Sequence, residues 1–271
     1  MRSALGLLKA CHPEPTAAVT TVAALLAVAT GRDAGGTLAV GAAVLASQLA
    51  VGWCNDAVDA TRDSAVGRLD KPIVTGLVAR RTVAAAAATA AALTVPLALL
   101  SGLPAGSVAT LGLASALLYN WPLKSTIASV LPYAVSFAAL PAFVVLGVSR
   151  PPWWLVAAGG LLGAGAHFAN VLPDLDDDAR TGVRGLPHRL GARRSVAVGG
   201  GLLFAATATL ALGPPGPPSW TALLAFAGAA AALAVGGYVA GRRPTSRAAF
   251  RSVLLVAVLD VALLLSAGHR M

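Results

Sequence analysis

The chain is a succession of apolar runs with almost nothing charged inside them. Nine can be marked: Thr16–Thr30, Thr37–Trp53, Val83–Leu100, Ala105–Tyr119, Thr126–Val148, Trp153–Leu172, Val196–Leu212, Trp220–Ala240 and Phe250–Ala267. An upright helix needs about 20 apolar residues to cross a bilayer. The shorter runs must therefore borrow flanking residues, or stop where a polar cavity replaces lipid. Gly and Pro interrupt them at Pro96, Pro132, Pro141, Gly159 and Gly160, which membrane helices tolerate because neighbours re-satisfy the backbone. Only 11% of residues are charged and the mean hydropathy is +0.76, against about 25% charged in a soluble domain. The expected fold is an all-α integral membrane protein. Nine transmembrane helices would surround a central cavity open to the cytoplasmic side, in one domain over residues 1–271.

The cations orient this arrangement. Of 20 Lys and Arg, only Arg32, Arg150 and Arg270 fall outside the N-terminal tail, the loops after the second, fourth, sixth and eighth runs, and the start of the ninth. Basic residues stay on the cytoplasmic side, so the N-terminus and those loops are expected there. The same rule accounts for the net charge of +9, and no nucleic-acid partner is expected. Cys11 and Cys54 then face a reducing compartment as free thiols. Met1 to Pro15 carries Lys9, His12 and Glu14 and does not read as a signal peptide. Only Lys9, Lys71 and Lys124 are lysines, a bias toward Arg that points to a GC-rich bacterium and so to a bacterial plasma membrane.

Acid, by contrast, is concentrated. Seven of the 11 acidic residues lie in two clusters, each at the cytoplasmic end of an apolar run. In the first, Asp56, Asp59 and Asp63 follow Asn55; at about 100° per residue they fall within roughly 60° of one another on a helix. In the second, Asp174, Asp176, Asp177 and Asp178 follow Asn170, and Asn170, Asp174 and Asp178, spaced i, i+4, i+8, are expected to share one face. Like charges placed so closely call for a cation. Hard oxygen donors in this number suit Mg²⁺, which binds through a few carboxylates, water and substrate phosphates. Arg68 and Lys71 follow the first cluster; Arg180, Arg184, Arg189, Arg193 and Arg194 follow the second. Acid and base around one pocket suit a diphosphate, with metal on the carboxylates and guanidinium or ammonium on the phosphate oxygens. Apolar walls make the organic part a long apolar chain. The residues alone thus point to a membrane enzyme that activates a lipid diphosphate.

These motifs resemble those of the UbiA-type intramembrane prenyltransferases. Asn55-Asp56-x-x-Asp59-x-x-x-Asp63 with Arg68, Lys71-Pro72 and Gly76 is similar to the first signature of that family. Asp174-x-x-x-Asp178 with Gly182, Leu186 and Leu190-Gly191 is similar to the second, and Tyr119 followed by Lys124 to its tyrosine–lysine element. The resemblance implies that Asp56, Asp59, Asp63, Asp174 and Asp178 hold Mg²⁺ against a prenyl diphosphate, supported by Asn55. It implies that Arg68, Lys71 and Lys124 grip the diphosphate and that Tyr119 lines the pocket. The activity implied is transfer of the prenyl group to a small, often aromatic, acceptor. Lys71 stands where Arg is common in the family, Pro173 where a base is frequent and Gly185 where Thr is frequent.

Other readings remain open at this level. A terpene cyclase would use the same ionisation with no acceptor, and a sugar phosphate could be the acceptor. A carrier or channel predicts polar residues threading several runs, whereas here they stop at one face except for Asp260. His167 lies on the face of Asn170 and Asp174, either as a cavity residue that contacts substrate or as a satisfied buried histidine. Asp260 faces either a cavity or a neighbouring helix. Trp153, Trp154 and Trp220 are expected in an interfacial belt.

Overall fold

The computed structural model of the chain describes residues 2–242 and 248–268, and every regular element in them is helical. Short α1 (Arg2–Ala10) precedes α2 (Pro13–Ala29), α3 (Ala34–Ala65), α4 (Arg80–Leu99) and α5 (Leu103–Asn120). Then come α6 (Val130–Leu146), α7 (Trp153–Val171), the six-residue α8 (Leu175–Arg180), α9 (Leu186–Leu212), α10 (Trp220–Arg242) and α11 (Ala248–Gly268). Each apolar run falls on one of the long helices. Six of the described helices, extended by an adjoining turn in two cases, are long and apolar enough to cross a membrane: Ala34–Ala65, Arg80–Leu99, Ile127–Leu146, Trp153–Asp174, Leu186–Leu212 and Trp220–Val239. The side chains of Asp176 and Asp177 lie outside the described set, as do Arg243, Arg247 and Arg270.

Helix boundaries follow local chemistry. Asp33 caps α3 by accepting from Gly36 N at 2.7 Å, satisfying one donor left open at a helix start. That helix runs far past its apolar stretch, which carries Asn55 to Asp63 out on a regular helical face. At the other cluster the helix does not continue. Leu172–Asp174 is a 3₁₀ turn between α7 and α8, where Pro173 removes a backbone donor and disfavours a regular turn before it. The single straight face expected for Asn170, Asp174 and Asp178 is therefore broken. Within α9, Gly191 adopts φ 75°, a left-handed value open mainly to glycine, and separates a short N-terminal segment from the apolar run.

Each long helix packs on its successor in the chain and α11 returns to α2, so the described helices close into a ring. The main core seals one end of it. Leu26, Val40, Phe143, Val144, Leu155, Leu210 and Leu264 pack there, all far along their helices from the acidic clusters. Trp154 is 3% exposed and belongs to this core. It is not a belt residue as expected, because its neighbour Trp153 occupies the outward position one residue earlier. Arg32 clasps the same end: its Nε donates to Val144 O at 2.9 Å and its Nη1 to Ser101 Oγ at 3.0 Å. Asp260 takes the neighbouring-helix option, accepting from Thr207 Oγ1 of α9 at 2.5 Å.

Candidate active site

Opposite the sealed end, the ring opens on a cavity of about 920 Å³. Every site residue named from the sequence lines it: Asn55, Asp56, Asp59, Asp63, Arg68, Lys71, Tyr119, Lys124, His167, Asn170, Asp174 and Asp178. The arginines Arg180, Arg184, Arg189, Arg193 and Arg194 do not line it.

The first cluster arrives with cations attached. Asp56 Oδ1 accepts from Lys71 Nζ at 2.7 Å and faces His12 Nε2 at 3.1 Å. Asp59 is paired with Arg62, one turn along the same helix, and with Lys124. Asn55 Nδ2 donates to Asp59 Oδ2 and to Asn120 Oδ1, both at 3.3 Å, while Asn120 is itself fixed on Val51 O at 2.9 Å. Burial pulls the Lys124 ammonium below its ordinary pKa, with Asp59 opposing. Lys124 sits in a 3₁₀ turn, Leu123–Ser125, and that turn presses on Gly185. A Cβ at Gly185 would lie 2.5 Å from Lys124 O and 2.9 Å from Ser129 Oγ. This explains the glycine: the backbone of the lysine turn and Ser129 fill the space that a side chain would need.

The second cluster is looser. Asp174 reaches Arg68 Nη1 at 3.7 Å, and Asp178 reaches His188 Nε2 at 3.4 Å. Burial pushes the Asp178 carboxyl up, with Lys124 and His188 pulling against it. Arg68, in the loop after the first cluster, reaches the second: it holds Asp70 through two bonds of 2.9 Å and turns its remaining nitrogen to Asp174. Those bonds to Asp70 hold the guanidinium well above its ordinary pKa. Between the clusters lies an aromatic group. Tyr119 meets Tyr133 edge-on at 4.8 Å and His167 at 5.5 Å. His167 is both buried and at the cavity, with Nε2 3.0 Å from Ser129 Oγ, and Asn170 Nδ2 donates to Tyr133 Oη at 3.1 Å.

Several of these partners went unread in the sequence. His12, Asn120, Tyr133 and His188 all line the cavity. His12 precedes the first apolar run and Asn120 follows Tyr119 directly, so both lay at helix ends where polar groups collect. Nothing local marks Tyr133 or His188.

A sequence profile of the UbiA prenyltransferase family matches residues 17–259. The chain belongs to that family. No curated protein matches it by sequence. Solved structures share the family fold throughout. A UbiA homologue from Archaeoglobus fulgidus bound to DMAPP and Mg²⁺ is 14% identical, with a TM-score of 0.70 over 96% of this chain and 99% of that one. The same homologue bound to GPP and Mg²⁺ is 15% identical, with a TM-score of 0.67 over 98% and 100%. A digeranylgeranylglyceryl phosphate synthase is 15% identical, with a TM-score of 0.74 over the whole of both chains.

Proposed function

We propose that this chain is a Mg²⁺-dependent prenyltransferase, moving a prenyl group from its diphosphate to a small acceptor within the membrane. The observation that carries it is the interleaving of acids and bases from both halves of the chain around one cavity, with Arg68 between Asp70 and Asp174. The bound ligands of the Archaeoglobus fulgidus homologue, DMAPP or GPP with Mg²⁺, support this reading. We place all of residues 1–271 in one domain, since neither half contains the site alone. We also propose nine crossings of a bacterial plasma membrane, with the cavity open to the cytoplasm, on the strength of the cation asymmetry.

The residues fit the metal. Among the described residues no three acidic, His or Cys side chains converge as an all-protein cage, and Mg²⁺ normally uses only one or two carboxylates plus substrate phosphate. Asp56, Asp59, Asp63, Asp174 and Asp178 are the candidate ligands; the Asp63 carboxylate makes no direct ion pair or hydrogen bond among the described residues. Mg²⁺ when bound supplies Lewis-acid neutralisation of the leaving diphosphate. Lys71, Lys124 and Arg68 bind its oxygens and stabilise charge that grows as the C1–O bond breaks and its electron pair goes to the diphosphate. The surrounding helices exclude water from the allylic cation. Tyr119 packs beside it, and His167 and Asn170 orient the acceptor, whose carbon forms the new bond and then loses a proton. Two polar groups at that wall favour transfer over cyclisation.

The test is incubation of purified protein with Mg²⁺ and a panel of prenyl diphosphates, with and without aromatic and sugar-phosphate acceptors, reading products by mass. Acceptor-dependent diphosphate release is expected. Rapid multiple-turnover release without acceptor, yielding a cyclic product, would replace transfer by cyclisation.

A further inference from the structure

The main cavity does not end in a wholly apolar pocket. Beyond it lies a chamber of about 70 Å³ that shares Val19, Gln48, Ala116, Ser136 and Phe137 with the cavity wall. Gln48 precedes Asp56 by eight residues on α3, so it lies about 12 Å deeper along the ring. Four polar side chains meet there: Ser47, Gln48, Thr94 and Ser136. Thr94 Oγ1 donates to Ala90 O at 2.8 Å and Ser136 Oγ to Gly112 O at 2.9 Å, which leaves both hydroxyls able to accept. Ser47 and Gln48 have no side-chain hydrogen bond among the described residues. Phe143 and Val44 close the far side.

A purely apolar chain has no reason to meet such a lining. A chamber with several polar partners and this much room meets the conditions for ordered water. We infer that this chamber is hydrated and ends the path of the prenyl tail, making Gln48 a specificity-determining residue that limits chain length. The inference rests on the proposed diphosphate site, which fixes the end from which the tail is measured. A tail reaching Gln48 must displace water and leave the amide and neighbouring hydroxyls unpaired, an unfavourable exchange. A tail stopping short leaves the water in place.

The experiment measures equilibrium binding of geranyl, farnesyl and geranylgeranyl diphosphates, with Mg²⁺, to the full chain in lipid nanodiscs. Wild type is compared with Gln48→Leu and, as a nearly isosteric second variant, Thr94→Val. The readout is the ratio of long-chain to short-chain affinity. Wild type should favour the shorter chains, and Gln48→Leu should shift the ratio toward geranylgeranyl diphosphate by about tenfold. Thr94→Val should shift it in the same direction by less. An unchanged ratio in both variants, with binding retained, would overturn the chain-length role alone. Wild type preferring the longest chain would do the same. Absence of binding for all three diphosphates would overturn the diphosphate site itself, and this inference with it.

Discussion

Asp56 and Asp59 are 2% and 8% exposed, and side chains from the α1–α2 elbow (His12), the α3–α4 loop (Lys71) and the α5–α6 turn (Lys124) already rest on their oxygens. Asp174 and Asp178 stand at a helix break with side chains 50% and 31% exposed, each with one charged partner beyond 3 Å among the described residues. Both clusters are aspartates closing an apolar run, yet one is built into the fold and the other rests on it. Removing one member of a buried pair strands the other and costs about 3–5 kcal/mol; an exposed pair contributes about 0–1 kcal/mol. The first cluster should therefore carry stability as well as chemistry, and the second chemistry alone.

The largest effect is expected at Asp56→Asn, which strands Lys71 beside a neutral amide. Diphosphate release should fall at least about a hundredfold, and stability by about 3 kcal/mol, read by thermal unfolding in detergent without Mg²⁺. Unchanged stability would erase the contrast between the clusters. Next comes Gly185→Ala, which drives a methyl against Lys124 O and moves the lysine turn. We expect a stability loss of about 1–3 kcal/mol with weaker diphosphate binding; an unaffected Lys124–Asp59 pair, seen as wild-type binding, would contradict the packing argument.

Asp174→Asn should sharpen the comparison from the other side. Activity should fall at least about tenfold, while stability stays within about 1 kcal/mol. A loss matching that of Asp56→Asn would show that the second cluster is also structural. The smallest effect belongs to Asp70→Asn. Its hydrogen bonds with Arg68 hold the Asp70 carboxyl below its ordinary range, so its contribution is present above the unfolded pKa and is lost as pH falls through the folded one. With a side chain 60% exposed, that contribution stays within about 0.5 kcal/mol, and acid unfolding curves of variant and wild type should nearly coincide.

The comparison also shows what a sequence makes legible. Asn55 to Asp63 could be placed on one face because α3 runs unbroken through them and helical periodicity holds. Asn170 to Asp178 could be assigned to the site, but the one face expected for Asn170, Asp174 and Asp178 is lost because the helix breaks at Pro173. The cations split along the same line. Lys71 and Arg68 are near the first cluster in the chain, whereas Lys124 was assigned to the diphosphate by motif resemblance alone, and its pairing with Asp59 has no signal in the sequence. His12, Tyr133 and His188 come from separate elements and meet the site only when the ring closes. Trp154 shows the same limit in the core: which of two adjacent tryptophans turns inward depends on the rotation of α7 against its neighbours.

Whether the two clusters form one site is tested most directly by a binding cycle. The affinity of a non-reactive prenyl thiodiphosphate with Mg²⁺ would be measured for wild type, Asp56→Asn, Asp174→Asn and the double variant. If both clusters hold the same diphosphate, each single change removes most of the binding and the double removes little more, because groups acting as a unit are not additive. Free-energy losses that simply sum in the double variant would show two independent sites and contradict the account.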